Sequence, residues 1–424
     1  MLQRLLPYFF VWDPVTALYH FDHRLAAVQA PQQFRNLSPH DPDPTDQRAT
    51  FFFDAVLPAK DCFNAAPLVG TTNLINRAAL HHADYFPYHS VTEDTALSIK
   101  LHSLGYKTYY VNEPLASGLA TTSLWSNFDQ RERWLKGDWQ ILLSKSGPLT
   151  CPNLSLVQRL LYLNMGYARL LSIVHLLYDF ASVLLLVFGV SMVDVTDTFT
   201  FLAYLAPFLF LSIFVRWVRT QGAHGHSKSE SGADAFETMF RFVSVKSLFV
   251  ALYKGKAIKF KVTDKDDDGE DGHAHGKARN VPHRDVLKNL TRVWFNIAMA
   301  CLLSFAIGYA LASPPTHRGP MPQSNILPMA MALGFAAANL LPHLLAVYLC
   351  FIPLVSGWVM QDVVHGRCDQ YAVDPTTGKR FVPSSFISLL NVVQACLIFG
   401  AMAALVAYTF RDSFARFIPF IPFR

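Results

Sequence analysis

The residues best placed for chemistry are two neighbouring acids in the sequence Val91-Thr92-Glu93-Asp94. They come directly before a predicted helix, Thr95 to Leu104, which Gly105 ends in the expected C-terminal position. A carboxylate at a helix N-terminus is held by free backbone N–H groups and by the helix dipole. Glu93 and Asp94 are therefore candidates for acid–base chemistry, and the alternative interpretation is a helix N-cap.

Two further motifs follow along the chain. The first is a Q-x-x-R-W sequence, formed by Gln130, Arg133 and Trp134. Its alternative interpretation is an amphipathic helix whose tryptophan packs near a membrane surface. The second is Phe260-Lys261-Val262-Thr263-Asp264-Lys265, which by itself is typical of an ordinary strand and turn.

The segment that must position the first two motifs, residues 1–150, is predicted to be part of a soluble α/β domain. Short apolar runs such as Leu25 to Val28 and Thr108 to Val111 alternate with helical stretches. The whole chain differs from a soluble protein, because hydrophobic residues make up 52% and charged residues only 16%. The formal charge of +5 does not indicate a nucleic-acid partner.

The second half of the chain is predicted to lie in a lipid bilayer. Leu154 to Ala168 is amphipathic and is typical of a helix in the membrane interface. Since about 20 apolar residues span the hydrocarbon core, later apolar runs predict transmembrane helices at 171–193, 198–216, 292–312, 326–356 and 386–409. Asp179, four residues after His175, falls inside the first run, where it is predicted either to line a channel or to pair with His175.

The distribution of basic residues predicts the orientation. The 217–291 loop is rich in Lys and Arg, whereas the turn Asp194 to Asp197 has neither. The positive-inside rule therefore predicts that this loop and residues 1–150 face the cytosol.

Taken together, the three motifs resemble those of processive family 2 glycosyltransferases of the cellulose synthase type. Val28-Gln29-Ala30-Pro31 is similar to the family's V-Q-T-P segment, and the run from Gly70 to Leu80 is similar to the stretch after its F-F-C-G motif. Gly118 to Thr121 matches its G-L-A-T run. The resemblance extends from about residue 1 to 356 and implies a GT-A-like α/β cytosolic domain, present in part, followed by a multi-pass α-helical membrane domain.

The resemblance also implies roles for these residues. Asp94 would be the base that takes the proton from the acceptor hydroxyl, and Arg133 would stabilise charge on the departing pyrophosphate. Trp134 would stack under the acceptor sugar, with Glu93 and Gln130 helping to bind acceptor or donor. The family's gating loop, which closes over the nucleotide, corresponds to Phe260, Val262, Thr263 and Lys265.

One part of the family's site is missing. The family implies Mg²⁺ or Mn²⁺ held by a D-x-D motif upstream of V-Q-T-P, but no such motif lies among the 27 residues before Val28, and no metal ligand is assigned. The position of the family's Cys in F-F-C-G is Val69. We therefore expect an N-terminally truncated sequence.

The expected function is inverting transfer of glucose from UDP-glucose to a β-1,4-glucan chain, with export across the plasma membrane. The alternatives are a truncated or pseudoenzyme subunit without donor binding, or a synthase of mannan, chitin, hyaluronan or curdlan. The expected partners are a nucleotide sugar, a polysaccharide acceptor and lipid. These partners leave open assembly into a homo-oligomer or a synthase complex.

The predicted domains are residues 1–150 (catalytic), 151–216 (interfacial helix and two spans), 217–291 (cytosolic loop with the gating segment), 292–356 (two spans), 357–385 (cytosolic loop) and 386–424 (last span and tail).

Overall fold

The computed structural model describes residues 1–34, 52–118, 121, 124–190, 207, 210, 211, 214, 215, 238–254, 283–312, 332–348, 350–351, 372–373 and 380–381. The predicted gating-loop residues Phe260, Val262, Thr263 and Lys265 lie outside these ranges, and so does the predicted span 386–409.

The strands form mixed pairings. Their bounds are β1 Phe10–Asp13, β2 Leu18–Phe21, β3 Leu25–Gln29, β4 Gln32–Phe34, β5 Asn73–Ile75, β6 Lys107–Tyr110, β7 Ala116–Gly118, β8 Ala372–Val373 and β9 Arg380–Phe381. Strand β3 is central in a three-stranded sheet, antiparallel to β5 and parallel to β6. Strands β1 and β2 form an antiparallel hairpin, β4 pairs with β7 in parallel, and β8 pairs with β9 in antiparallel.

The α-helices with assigned bounds are α1 Leu2–Leu5, α2 Leu57–Asp61, α3 Arg77–His82, α4 Glu93–Ser103, α5 Leu124–Leu142, α6 Leu156–Val183, α7 Arg241–Lys254, α8 His283–Arg292, α9 Trp294–Ala312 and α10 Ala332–Tyr348. Every residue of β3 is buried, as its run of leucine, alanine and valine predicts. Helices α3 and α4 pack on this sheet through Ala79, Leu97 and Leu101. The mixed sheet with packed helices confirms an α/β fold for the N-terminal part.

The chain divides into two compact units. The first unit comprises Met1–Ile173, Phe240–Asn289 and Ile352–Pro383. The second comprises Val174–Met239, Leu290–Phe351 and Ser384–Arg424, and its core includes Val183, Leu186, Leu303 and Ala336.

Helix α6 differs from its prediction. The sequence predicts an interfacial helix over 154–168 and a separate span from 171, but α6 runs from Leu156 to Val183 and continues as a π-helical turn, Leu184–Phe188. No proline interrupts this stretch. Gly166 lies within the helix and leaves space for Leu142. A Cβ at position 166 would lie 2.9 Å from Cδ1 of Leu142. An amphipathic segment can therefore continue into an apolar one without a break.

Two helices among the described residues are long and apolar enough to cross a membrane, by length and composition. They are Leu156–Phe188, with a mean hydropathy of 2.1, and Trp294–Ala312, with a mean hydropathy of 1.9. Helix α10, within the predicted 326–356 span, is apolar but shorter. It continues through Pro342 without interruption.

Candidate active site

Asp94 lies in the first turn of α4. The helix begins at Glu93, and Thr92 is the N-cap residue, although its side chain makes no capping hydrogen bond. The Oδ1 atom of Asp94 accepts a hydrogen bond from the backbone N–H of Thr95, at 2.7 Å. Asp94 is therefore the second residue of the helix and not its N-cap, so the capping interpretation does not account for this acid.

The protonated form of the Asp94 carboxyl is more stable in the protein than it would be in water. Burial raises its pKa to about 6, and the neighbouring charge of Glu93 acts in the same direction. The backbone N–H groups of Thr95 and of Asp94 itself and the positive charge of Arg133 oppose this rise in the pKa. Burial and Glu93 outweigh these three groups, so Asp94 is a carboxyl that changes protonation close to neutral pH.

Arg133 acts on Asp94 because helix α5 packs against the residues that precede α4. The side chain of Gln140 accepts a hydrogen bond from the backbone N–H of Val91, at 3.0 Å. The hydroxyl of Ser90 donates to the carbonyl oxygen of Gly137, at 3.3 Å. Both contacts come from α5, which also carries Arg133.

Gly137 makes this packing possible. A Cβ at this position would lie 2.6 Å from Cγ2 of Thr92 and 2.9 Å from its Cβ, closer than real Cβ contacts. Gln130, Arg133, Gly137 and Gln140 follow one another at spacings of three and four residues, which places them on one face of a helix. The contact at Gly137 therefore turns the face that carries Gln130 and Arg133 toward Thr92 and the start of α4.

Trp134 lies beside this face and is 37% exposed. The guanidinium carbon of Arg131 lies 5.4 Å from the centre of the Trp134 ring and 6.0 Å from that of Phe240, which is cation–π range. Glu132, between Arg131 and Arg133, is buried and pairs with Lys136 at 2.8 Å and with Lys246 of α7 at 3.5 Å. Helix α7 thus stabilises the same segment of α5 from its other side.

A second glycine lies against Asp94. Gly70 has a positive φ of 72°, and a Cβ there would lie 3.0 Å from Oδ2 of Asp94. Gln29 fixes the loop that contains Gly70. Its side-chain amide donates to the carbonyl oxygens of Ala30, at 2.5 Å, and Thr71, at 2.7 Å, and its Oε1 accepts from the N–H of Val69, at 3.1 Å.

The far end of α4 is fixed by a chain of buried polar groups. Thr108 uses its hydroxyl proton in a hydrogen bond to the carbonyl oxygen of Ala66, at 2.9 Å. The Nε2 atom of His102, 3.0 Å from that hydroxyl oxygen, must therefore carry the donated proton. Nδ1 of His102 then accepts from the hydroxyl of Tyr162 on α6, at 2.9 Å. Burial lowers the pKa of His102 to about 4, so its ring is neutral in this arrangement.

The structure thus places the predicted site residues on two neighbouring helices. Glu93 and Asp94 share the first turn of α4, and Gln130, Arg133 and Trp134 share α5. Sequence reasoning missed Gly137 and Gln140, which make the contact between the two helices. It used Gln29 only as part of a motif, although a buried glutamine in an otherwise apolar strand is itself a signal.

A divalent cation does not fit the described residues. Among them, no group of three or more His, Cys, Asp or Glu side chains is close enough together to hold a metal ion. Glu93 and Asp94 supply only two carboxylates, and Asp94 already accepts a backbone hydrogen bond. The chemistry proposed for this site therefore has no step that passes through a metal.

Part of the chain is similar to known proteins. Residues 15–218 match the family model described as glycosyl transferase family group 2. The chain is 31% identical over 249 residues to a cellulose synthase catalytic subunit [UDP-forming] of Pseudomonas fluorescens (strain SBW25), which is 58% of this chain and 33% of that protein. It is 38% identical over 140 residues to a UDP-forming cellulose synthase catalytic subunit of Dictyostelium discoideum, which is 33% of this chain and 12% of the relative. It is 29% identical over 254 residues to cellulose synthase 1 of Komagataeibacter xylinus, which is 58% of this chain and 16% of the relative. The chain spans a third or less of the length of these relatives.

The first prediction concerns the contact between the two helices. Gly137→Ala should destabilise the first unit by about 1–3 kcal/mol, because the new methyl group overlaps the β-branched side chain of Thr92. Thermal unfolding of the purified chain measures this loss. The matched control is Gly308→Ala, at a helical glycine where an added Cβ would have nothing within 4 Å. Equal melting temperatures for the two variants would contradict the packing described for Gly137.

The second prediction concerns the charge of Asp94. Because its folded-state pKa of about 6 lies above the ordinary value of 3.8, the folded state binds the proton more tightly, and stability falls as pH rises from about 4 to 6. Asp94→Asn removes this penalty, so it should stabilise the chain at pH 7 by up to about 3 kcal/mol and give no gain at pH 4. Unfolding of both proteins at the two pH values measures the difference.

Asp13→Asn is the control, because it is expected to change the stability at pH 7 in the opposite direction. The N–H of Val15 and the hydroxyl of Thr16 lower the pKa of Asp13, so its charge stabilises the fold at neutral pH. This variant should lose stability at pH 7 relative to pH 3. A gain at pH 7 from Asp13→Asn, or none from Asp94→Asn, contradicts this account of the two carboxyls.

Proposed function

We propose that the chain is a hexosyltransferase of glycosyltransferase family 2 that extends a β-linked polysaccharide, with Asp94 as its catalytic base, because residues 15–218 match the model of that family. One observation carries the proposal. A half-buried carboxyl whose pKa is about 6 lies at the start of α4, within electrostatic range of the guanidinium of Arg133. A general base is most effective when its pKa is close to the working pH.

The reaction needs a base because a sugar hydroxyl is a weak nucleophile. Asp94 takes the proton as the acceptor oxygen attacks the anomeric carbon of the donor, and the configuration at that carbon inverts. A positioned carboxylate typically contributes about 10²–10⁴-fold to the rate of such a step. The elevated pKa supports this role, since the conjugate base of a weaker acid holds the proton more strongly.

Arg133 has two roles in this proposal. Its positive charge keeps the pKa of Asp94 from rising further, so that the carboxylate is available near neutral pH. Its guanidinium also stabilises the negative charge that develops on the departing nucleoside diphosphate, because it can form two parallel hydrogen bonds to phosphate oxygens. Glu93 and Gln130 border the same region and contribute to binding of donor and acceptor.

Trp134 is the proposed stacking surface for the acceptor. It is partly exposed on the helix that carries Arg133, and an indole face can stack on the C–H face of a sugar ring. The segment with Phe260, Val262, Thr263 and Lys265 is the proposed gating loop, with Thr263 and Lys265 binding phosphate.

The proposed donor is UDP-glucose and the proposed product is a β-1,4-glucan, because the relatives with these matches are named cellulose synthases, two of them UDP-forming. Helices Leu156–Phe188 and Trp294–Ala312 support a proposal that the chain crosses a bilayer, with residues 1–150 in the cytosol and the product exported. The plasma membrane is the proposed location. The domain boundaries predicted from the sequence belong to the same proposal.

Incorporation of labelled glucose from UDP-glucose into polymer, in membranes that contain the full chain, tests the function. Asp94→Asn should lower incorporation by at least about 100-fold, because it removes the base. Trp134→Ala should lower it through weaker acceptor binding. Glu113→Gln is the control, since Glu113 only pairs with Arg4 at an exposed site. Incorporation by Asp94→Asn at the level of this control excludes Asp94 as the base.

The wild-type result separates the alternatives. Incorporation from another UDP-sugar but not from UDP-glucose would identify a synthase of a different β-linked polymer. No transfer from any donor would identify a subunit that does not catalyse the reaction by itself, and would contradict the proposal for this chain.

The pH dependence gives an independent prediction. Since only the unprotonated carboxylate can accept a proton, incorporation should rise with pH through a midpoint near 6, the pKa of Asp94. Initial rates between pH 5 and pH 8 at saturating UDP-glucose measure this profile. A rate that stays constant from pH 5 to pH 8 would show that no group with this pKa limits the reaction.

A further inference from the structure

Arg131 contacts the exposed tryptophan of the Q-x-x-R-W helix. It lies three residues before Trp134 on α5, a spacing at which two side chains are neighbours on a helix surface. The central carbon of its guanidinium is 5.4 Å from the centre of the Trp134 ring. The same carbon is 6.0 Å from the centre of the ring of Phe240, which directly precedes α7. One guanidinium therefore joins two aromatic rings of the first unit.

The two rings differ in how firmly they are held. Phe240 is 2% exposed, and the centre of its ring is 4.6 Å from that of Phe128, which is 1% exposed. Side chains in a close-packed interior are held by their neighbours on every side. Trp134, in contrast, is 37% exposed, so solvent borders part of its ring. Arg131 therefore connects the exposed indole to a fixed pair of buried rings.

The contact with Arg131 also makes the two faces of the Trp134 indole unequal. A cation at this distance from a ring lies over its face, where the ring quadrupole is negative. Because the guanidinium is planar, it can stack on an aromatic face, which a compact ammonium cannot do. Arg131 thus occupies one face of the indole, and a sugar ring can stack only on the opposite face.

A fixed indole binds a sugar ring more tightly than a mobile one. An exposed side chain that becomes ordered only on binding loses rotamer freedom at that moment, and this loss weakens the affinity. Arg131 restricts Trp134 before any ligand arrives. Arg131 also has other interactions among the described residues, which help to keep its guanidinium in place. The indole is therefore preorganised for stacking.

We propose that Arg131 is a positioning residue, which fixes the Trp134 indole against the buried pair of Phe128 and Phe240 and leaves one indole face for the acceptor. This role rests on the proposed function, in which Trp134 binds the acceptor sugar. The ligand is a β-linked hexopyranose, whose ring C–H groups point toward its two faces and can pack on an indole. Arg131 acts through Trp134 and takes no part in bond formation.

The response of Trp134 to cellopentaose tests the proposal. ¹⁹F NMR of the full chain, labelled with fluorotryptophan and purified in detergent, follows the indole, and Trp134→Phe assigns its signal. Arg131→Met should shift this signal and weaken cellopentaose binding by about 2–5-fold, the effect of one cation–π contact at a partly exposed site. Arg131→Lys should lose less affinity, because it keeps the cation but not the planar group.

Arg4→Met is the matched control, since it makes the same change in an exposed ion pair with Glu113. It should bind cellopentaose as the wild-type chain does. Where Arg131→Met does not fold, Arg131→Gln replaces it with the same expectation, because the amide keeps N–H donors for the other interactions of residue 131. Equal affinities of the Arg131 variant and Arg4→Met would overturn the proposal, and so would a wild-type Trp134 signal that does not respond to cellopentaose.

This outcome is separate from that of the proposed function, because the binding of cellopentaose needs no catalysis. Incorporation of glucose into polymer without a response of Trp134 to cellopentaose contradicts the role of Arg131 and leaves the transferase intact. A response that weakens in Arg131→Met, in a chain that incorporates no sugar, supports the role of Arg131 and contradicts the hexosyltransferase.

Discussion

The candidate site depends on one close contact, the approach of helix α5 to Thr92. Residues 92 and 137 are far apart in sequence, and only a glycine at 137 lets the helix backbone come near enough to Thr92. Gln140 and Ser90 then connect the two segments by hydrogen bonds. Because Arg133 and Gln130 lie on the same face of α5 as Gly137, this single contact brings a guanidinium within range of the acid at the start of α4. A side chain at position 137 would separate the two halves of the site.

The same constraint explains the electrostatics. Burial raises the pKa of Asp94, and the loop around Gly70 lies directly against its carboxyl. Arg133 moderates that effect without reversing it. Gln29 fixes the Gly70 loop on one side, and the neutral His102 fixes the far end of α4 against Tyr162 and Thr108. The protein thus holds Asp94 rigidly in a place where its charge is costly, as a general base requires.

Sequence reasoning identified the local features and missed those that depend on distant contacts. The sequence predicts α4 from Thr95, two residues after its observed start at Glu93, and it places Gln130, Arg133 and Trp134 on one helix, as the structure does. Gly137 and Gln140 were missed because their function is defined by Thr92 and Val91, which no periodicity connects to them. The sequence predicts an interfacial helix over 154–168 and a span from 171, whereas one helix, Leu156–Val183, extends over both segments.

The central claim is that Asp94 is a half-buried carboxyl whose pKa is raised mainly by its partial burial and is lowered by groups that include Arg133. Its titration can be followed directly by ¹³C NMR of labelled aspartate in the full chain, with Asp94→Asn to assign the signal. We expect a midpoint near pH 6, and a higher midpoint in Arg133→Gln, because the positive charge that lowers the pKa is then absent. A midpoint near the ordinary value of 3.8, unchanged by Arg133→Gln, would contradict the claim.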